Sequence, residues 1–196
     1  MKTGDLARFL SQTLHRPPGT VSDYIVALMS AGLVSKGGRG RYSGADLDER
    51  DCINATLALA LRHARGDCPS IAVRRVRNLM HDEAPIALPS NFAQGLTCFR
   101  SVTAGEMLEN VVRDLRFGRF ETWANGEEYD FRITLFDDGS SVFMSLNKKQ
   151  RHEPHDRQAT QGYAVPGFVN RKRFVERQIS FGAEWFRQLA SALGPP

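Results

Sequence analysis

No run in this chain is long and apolar enough to span a bilayer. The longest apolar stretches, such as 57–61, fall far short of the ~20 residues a membrane helix needs. The opening "MKTGD" has no apolar core behind it, so no secretory leader is expected. Cysteine is scarce. Cys52, Cys68 and Cys98 are odd in number and widely spaced, which excludes a disulfide framework and any C-x-x-C zinc pattern. Reduced thiols in a cytoplasmic protein are the expectation. Signature motifs of catalysis are also missing. There is no phosphate-cradling P-loop and no G-x-G-x-x-G after a strand. There is no G-x-S-x-G either. His152-Glu153-Pro154-His155-Asp156 is not H-E-x-x-H, because the histidines are three apart with a proline between them; it reads as exposed loop. Asp137 and Asp138 read as turn residues. The sequence therefore predicts no enzyme: no catalytic residue, no metal ligand and no cofactor.

What is present points to a folded, charge-asymmetric protein. Twelve Phe, four Tyr and two Trp can anchor a core, and 41% hydrophobic with 24% charged residues is ordinary for a globular chain. The 196 residues allow one moderate domain or two small ones. The net charge is +4, and residues 1–43 carry that excess. Lys2, Arg8, Arg16, Lys36, Arg39 and Arg41 face only Asp5 and Asp23 there, while the remaining residues balance. Such asymmetry suggests an anionic partner for the first quarter of the chain.

Periodicity organises the rest. Leu6, Phe9, Leu10 and Leu14 line one helical face over 4–15, with Thr3 or Asp5 as cap. Pro17-Pro18-Gly19 stops that helix. Thr20 and Asp23 have capping-box spacing, which predicts a second helix over about 20–31 with Val21, Ile25, Leu28 and Met29 inward. Gly32 is placed to end it. Leu33-Val34 reads as a short strand, Gly37-Gly38 as a hairpin turn, and Arg41-Tyr42 as a return strand. A third helix is predicted over about 48–64, capped by Asp48, and a basic helix after Ser70 carries Arg74, Arg75 and Arg77. Thr103 and Glu106 form another capping box, opening a helix to about 117. Tyr129, Phe131, Ile133 and Leu135 alternate with polar residues, then Asp138-Gly139 turns, then Val142, Met144 and Leu146 alternate. Residues 147–164 read as a polar loop, 173–180 as a third strand and 182–193 as a last helix.

The run "GTVSDYIVALMSAGLVSKGGRGRY" resembles the recognition helix and wing of winged helix-turn-helix regulators. The match rests on Thr20-Val21-Ser22, Leu28 and the Ala31-Gly32-Leu33-Val34 exit, within residues 4–64. Members of that family usually have three helices before the wing. Only two precede it here, so the 48–64 helix must supply the third packing partner. Length and layout are similar to small regulators carried by prophages, and the C-terminal half resembles no named family.

The resemblance implies that the helix enters the major groove of double-stranded DNA. Asp23, Val26, Ala27 and Ser30 then face outward, and Thr20 and Ser22 can hold a phosphate at the helix N-terminus. Arginine to guanine is the commonest specific contact, yet that face has no Arg or Lys. The wing, 36–42, is better equipped. Arg39-Gly40-Arg41 has the core of a minor-groove arm and is similar to an AT-hook without its flanking prolines. Lys36 and Arg16 add phosphate contacts, as Arg74, Arg75 and the run Arg171-Lys172-Arg173 could. A salt slope of roughly −4 to −5 per protomer follows if five cations each neutralise one phosphate.

The expected class is α+β: a winged helix domain over 1–65, a basic helix and connector over 66–100, and an α+β domain over 101–196 for dimerisation or sensing, in the order α-β-β-β-α. The reading favoured is a DNA-binding transcription regulator, homodimeric, with its small-molecule ligand left open. The alternative is a winged-helix interaction module such as a phage accessory or packaging factor. A nuclease using the acids of 128–160 is the third reading, and it rests only on the density of Asp, Glu and His there.

Overall fold

The structure is a computed structural model, and it describes residues 1–36, 46–61, 68–81, 95–136, 139–148, 157–164 and 178–195. Four helices come first. Helix α1 (Thr3–Thr13) buries Leu6 and Leu10. Its N-cap is Lys2, with no side-chain capping bond, so neither Thr3 nor Asp5 plays the expected role. Helix α2 (Pro18–Ser30) buries Val21, Ile25 and Leu28, as the stripe predicts. It starts two residues before Thr20. Proline suits the first helical position, where its missing N–H is not needed and its φ is already helical. Thr20 thus lies inside the first turn, and the expected capping box is not formed. Gly32 ends the helix region at φ 71°. Helix α3 (Glu49–Ala60) has its predicted cap: Asp51 N donates to Asp48 Oδ1 at 2.9 Å and the Asp51 carboxylate reaches back. Helix α4 (Pro69–Arg77) opens on Pro69 after Cys68 rather than on Ser70.

Leu33 and Val34 form no strand, although both are buried. The Leu33 carbonyl accepts a hydrogen bond from Asn54 Nδ2 at 2.6 Å. A side chain satisfies the backbone group that a ladder would have used. The expected turn and return strand at 37–42 lie outside the described residues.

The second half is a mixed layer pair, and the α+β class holds. Strand β1 (Met80–His81) precedes a 3-10 turn (Cys98–Arg100), helix α5 (Ala104–Arg116) and a short α6 (Arg119–Ala124). Then come β2 (Tyr129–Phe136), β3 (Ser141–Lys148), β4 (Arg157–Ala164), β5 (Gln178–Gly182) and α7 (Ala183–Leu193). The strands pair antiparallel in the order β1-β4-β3-β2-β5. The capping box of α5 forms as predicted, Thr103 with Glu106. The β2–β3 hairpin also forms, with Ile133 opposite Met144. One expectation is corrected, one strand is found and one helix is new. The supposed loop at 147–164 contains β4. The strand placed at 173–180 is β5, whose described span runs from Gln178 to Gly182. Helix α6 was not foreseen. Phe131, Ile133, Leu135, Val142, Met144, Leu146, Tyr163 and Phe181 are buried on one sheet face; α7 packs on its β2 and β5 edge, and α5 packs on α7.

A single hydrophobic cluster runs from Leu6 in α1 to Ala190 in α7. Phe9 of α1 meets Trp185 of α7 with ring centroids 5.9 Å apart. Helices α3 and α4 pack on α5. The α4–α5 crossing is close at Gly105, where a Cβ would stand 3.1 Å from both the Cβ and the carbonyl O of Arg77. Helix propensity alone favours alanine over glycine by ~1 kcal/mol. Here the obstruction includes backbone, which cannot swing aside. Gly105→Ala is therefore expected to destabilise, by about 1–3 kcal/mol, and a melting temperature above wild type would refute that account.

Candidate nucleic-acid interface

Helices α1 and α2 are joined by Leu14, His15, Arg16 and Pro17. The link turns through His15 at φ 51° and is closed by Ser11, whose Oγ donates to the Arg16 carbonyl at 2.7 Å. With its apolar stripe buried against α1, α3 and α4, α2 leaves one face outward. Thr20, Ser22, Asp23, Val26 and Ser30 are exposed, and Ala27 is half-buried. Val26 is 61% exposed, a high value for a β-branched apolar side chain. The Ser30 hydroxyl donates to the Val26 carbonyl at 3.0 Å, within its own helix. The structure thus brings together the α2 residues that the sequence named.

Cations stand at both ends of this face. Arg16 is exposed just before α2, and its Nη2 reaches the Leu59 carbonyl at 3.4 Å, near the end of α3. Lys36 is exposed beyond the far end. A helix of this length is about 20 Å long, so the two cations flank it on the scale of a DNA groove and its bordering phosphates. Arg74 is exposed too, and its Nη2 donates to the Ala31 carbonyl at 3.0 Å. That places a guanidinium on the C-terminal carbonyls of α2, where the helix dipole favours it. Arg75 runs beside the β2–β3 turn, with its Cδ 3.8 Å from where a Cβ on Gly139 would sit. Arg39 and Arg41 lie outside the described residues, as do His152 to Asp156, Asp137, Asp138 and Arg171 to Arg173.

The residues that the sequence reading missed hold the base of the basic segment. Asp51 is 4% exposed, and its carboxylate accepts from two limbs of chain at once. Oδ1 takes the Ser35 N–H at 2.9 Å, and Oδ2 takes the Asp48 N–H at 3.4 Å. One turn along α3, Asn54 is fully buried and donates to the Leu33 carbonyl. On the return side, Leu47 N donates to the Met1 carbonyl at 2.9 Å and Lys2 pairs with Asp46 at 2.8 Å. The Lys2 hydrogen bond and charge hold the exposed Asp46 carboxyl below its usual range. The chain therefore leaves α2 and returns to α3 from anchored points on both sides of 37–45. The sequence signal was slight: Asn54 interrupts the largely apolar run 52–61, and Asp51 stands three residues before it.

Arg77 turns inward, unlike the exposed Arg74 and Arg75 on the same helix. Its Nη1 donates to Asn54 Oδ1 at 3.0 Å and its Nη2 pairs with Glu109 of α5 at 2.5 Å. A second partly buried pair, Arg116 with Glu49, ties α5 to the first turn of α3, and Arg116 also donates to the carbonyls of Gly194 and Pro195. Leu115, Arg116, Glu121, Arg187, Ala190, Ser191, Gly194 and Pro195 line a cleft of about 350 Å³ beside that pair.

Among the described residues no His, Cys, Asp and Glu group is placed to hold a metal ion. No helix among them is long and apolar enough to cross a membrane. Cys52 and Cys98 are buried, and burial pushes both thiols above their usual range. No protein-family model matches the chain, and comparisons with curated proteins and with solved structures return no significant match.

Proposed function

We propose that the chain is a cytoplasmic, dimeric regulator that binds double-stranded DNA with the outward face of α2 and the cationic 36–42 segment. The observation that carries this is the anchored base of that segment. Ala31, Leu33 and Ser35 are each fixed by a side chain from α3 or α4, directly beside an exposed helix face flanked by Arg16 and Lys36. A flexible cationic loop would need no such fixings; a finger that must enter a groove at a set angle does. In this reading Thr20 and Ser22 touch phosphate, Asp23, Val26 and Ala27 meet base edges, and arginines supply minor-groove contact. The reading assigns the protein no catalytic step and no cofactor.

Selection of binding sites from random duplex DNA tests it. A·T-rich sites repeated in two halves about one helical turn apart are the expected outcome, since a symmetric dimer reads a palindrome. No enrichment over many rounds would remove the proposal. The cation-free α2 face and the exposed Val26 favour one second reading, an interaction module of phage accessory or packaging type. That reading predicts a stably co-purifying protein and no selected DNA.

A further inference from the structure

The hydrogen bonds at the base of the basic segment continue beyond it. Leu33 is held by Asn54, Asn54 by Arg77, and Arg77 by Glu109. These links connect α5 to the exit of α2 through side chains that are largely shielded from water: Asn54 is 0% exposed and the side chains of Arg77 and Glu109 are 15% and 16% exposed. Each member depends on the next. The Asn54 amide must present its nitrogen to Leu33 and its oxygen to Arg77, and only one of its two flipped orientations does both. The guanidinium fixes that orientation by offering donors alone, and Glu109 fixes the guanidinium. The close backbone approach at Gly105 leaves α4 little room to shift against α5.

We propose that Asn54 is the positioning residue for the exit of α2 at Leu33, and that Glu109 of α5, acting through Arg77, sets how firmly that exit is held. The inference rests on the DNA-binding reading for its consequence, but its geometry stands apart from it. It gives α5, the helix that packs on α7 over the sheet, a route to the binding surface. A change in the C-terminal half that moves Glu109 would loosen the anchoring of Leu33 without touching DNA. Asp51 holds Ser35 and Asp48 independently, so the loosening is partial: one fixing is released while the other remains.

Asn54→Asp separates the two bonds of Asn54. A carboxylate still accepts from Arg77, but it cannot donate to the Leu33 carbonyl. Glu109→Gln keeps the shape at the other end and removes the charge. Two measurements on each full-length variant decide the matter: hydrogen exchange at the Leu33 amide, which donates to the Leu28 carbonyl at 2.9 Å, and affinity for a selected duplex. Circular dichroism monitors the fold. Asn54→Asp is expected to speed Leu33 exchange and to weaken binding, each about tenfold, the equilibrium effect of one hydrogen bond. Glu109→Gln is expected to produce a smaller change of the same sign in both. Folded variants with wild-type exchange and wild-type affinity would overturn the proposal. If Asn54→Asp fails to fold, Glu109→Gln alone carries the decision. A wild-type protein that binds no duplex removes the DNA reading, while the Leu33 exchange rate still decides whether Asn54 fixes the exit of α2.

Discussion

Replacing Arg39 and Arg41 together by alanine is expected to weaken duplex binding about 50-fold at 0.1 M salt. The magnitude follows from counterion release. Each phosphate neutralised contributes about 0.9 to the log–log salt slope, so two lost contacts are worth nearly two decades at that ionic strength. The slope itself should fall from roughly −4 to −5 to about −2.5. Preference for A·T-rich sequence should fall with it, because a narrow minor groove attracts arginine through its enhanced negative potential. The α2 face cannot compensate, since residues 18–30 contain no Arg or Lys. A mobility-shift titration at several salt concentrations reads all three quantities. Unchanged affinity with an unchanged slope would exclude the basic segment as a DNA contact and move weight to the interaction-module reading. A lower slope with intact sequence preference would assign the arginines to phosphate alone.

Phe131→Ala is expected to destabilise the fold by about 3–5 kcal/mol, the usual result of emptying a large aromatic site. Phe131 is fully buried, with ring centroids 5.0 Å from Phe120 and 5.7 Å from Phe186. Its removal leaves three elements, β2, α6 and α7, facing one cavity. For a chain of this size the melting temperature should drop by roughly 10 °C. The continuous cluster from Leu6 to Ala190 adds a sharper expectation. Helical signal in the far ultraviolet and aromatic signal in the near ultraviolet should fall together, in one transition, although most of the helices lie away from the cavity. Helices that persist at the wild-type midpoint after the aromatic signal has gone would contradict a shared core.

The elements legible in the sequence are those whose information is local. The cap at Asp48 and the capping box at Thr103 hold because donor and acceptor sit within one turn. The β2–β3 hairpin was readable because Phe131, Ile133 and Leu135 alternate towards Val142, Met144 and Leu146 across a short turn. Strand β4 was not. Its sequence, Arg157 to Ala164, is largely polar, and backbone pairing with β3 organises it. The strand expected at Leu33-Val34 failed for the converse reason: two apolar residues suggested a ladder, but a distant amide took the carbonyl. The same limit applies to the candidate site. The α2 residues were readable because helical periodicity separates an inner stripe from an outer one. Asn54 to Leu33, Arg77 to Asn54 and Arg77 to Glu109 join residues more than a turn apart in sequence, on three helices and the segment after α2, and no periodicity announces them.

The contact between Phe9 and Trp185 has a consequence for the order in which the protein is made. A ribosome releases α1 well before α7, and the two must meet before either is fully covered. Until residues 183–193 emerge, the Phe9 side of α1 faces solvent in the nascent polypeptide. The helices that carry the proposed DNA surface can therefore start to assemble early, but they are sealed only once α7 has emerged. A message cut short before Trp185 yields a product with an exposed aromatic flank, the kind of surface that chaperones and proteases act on.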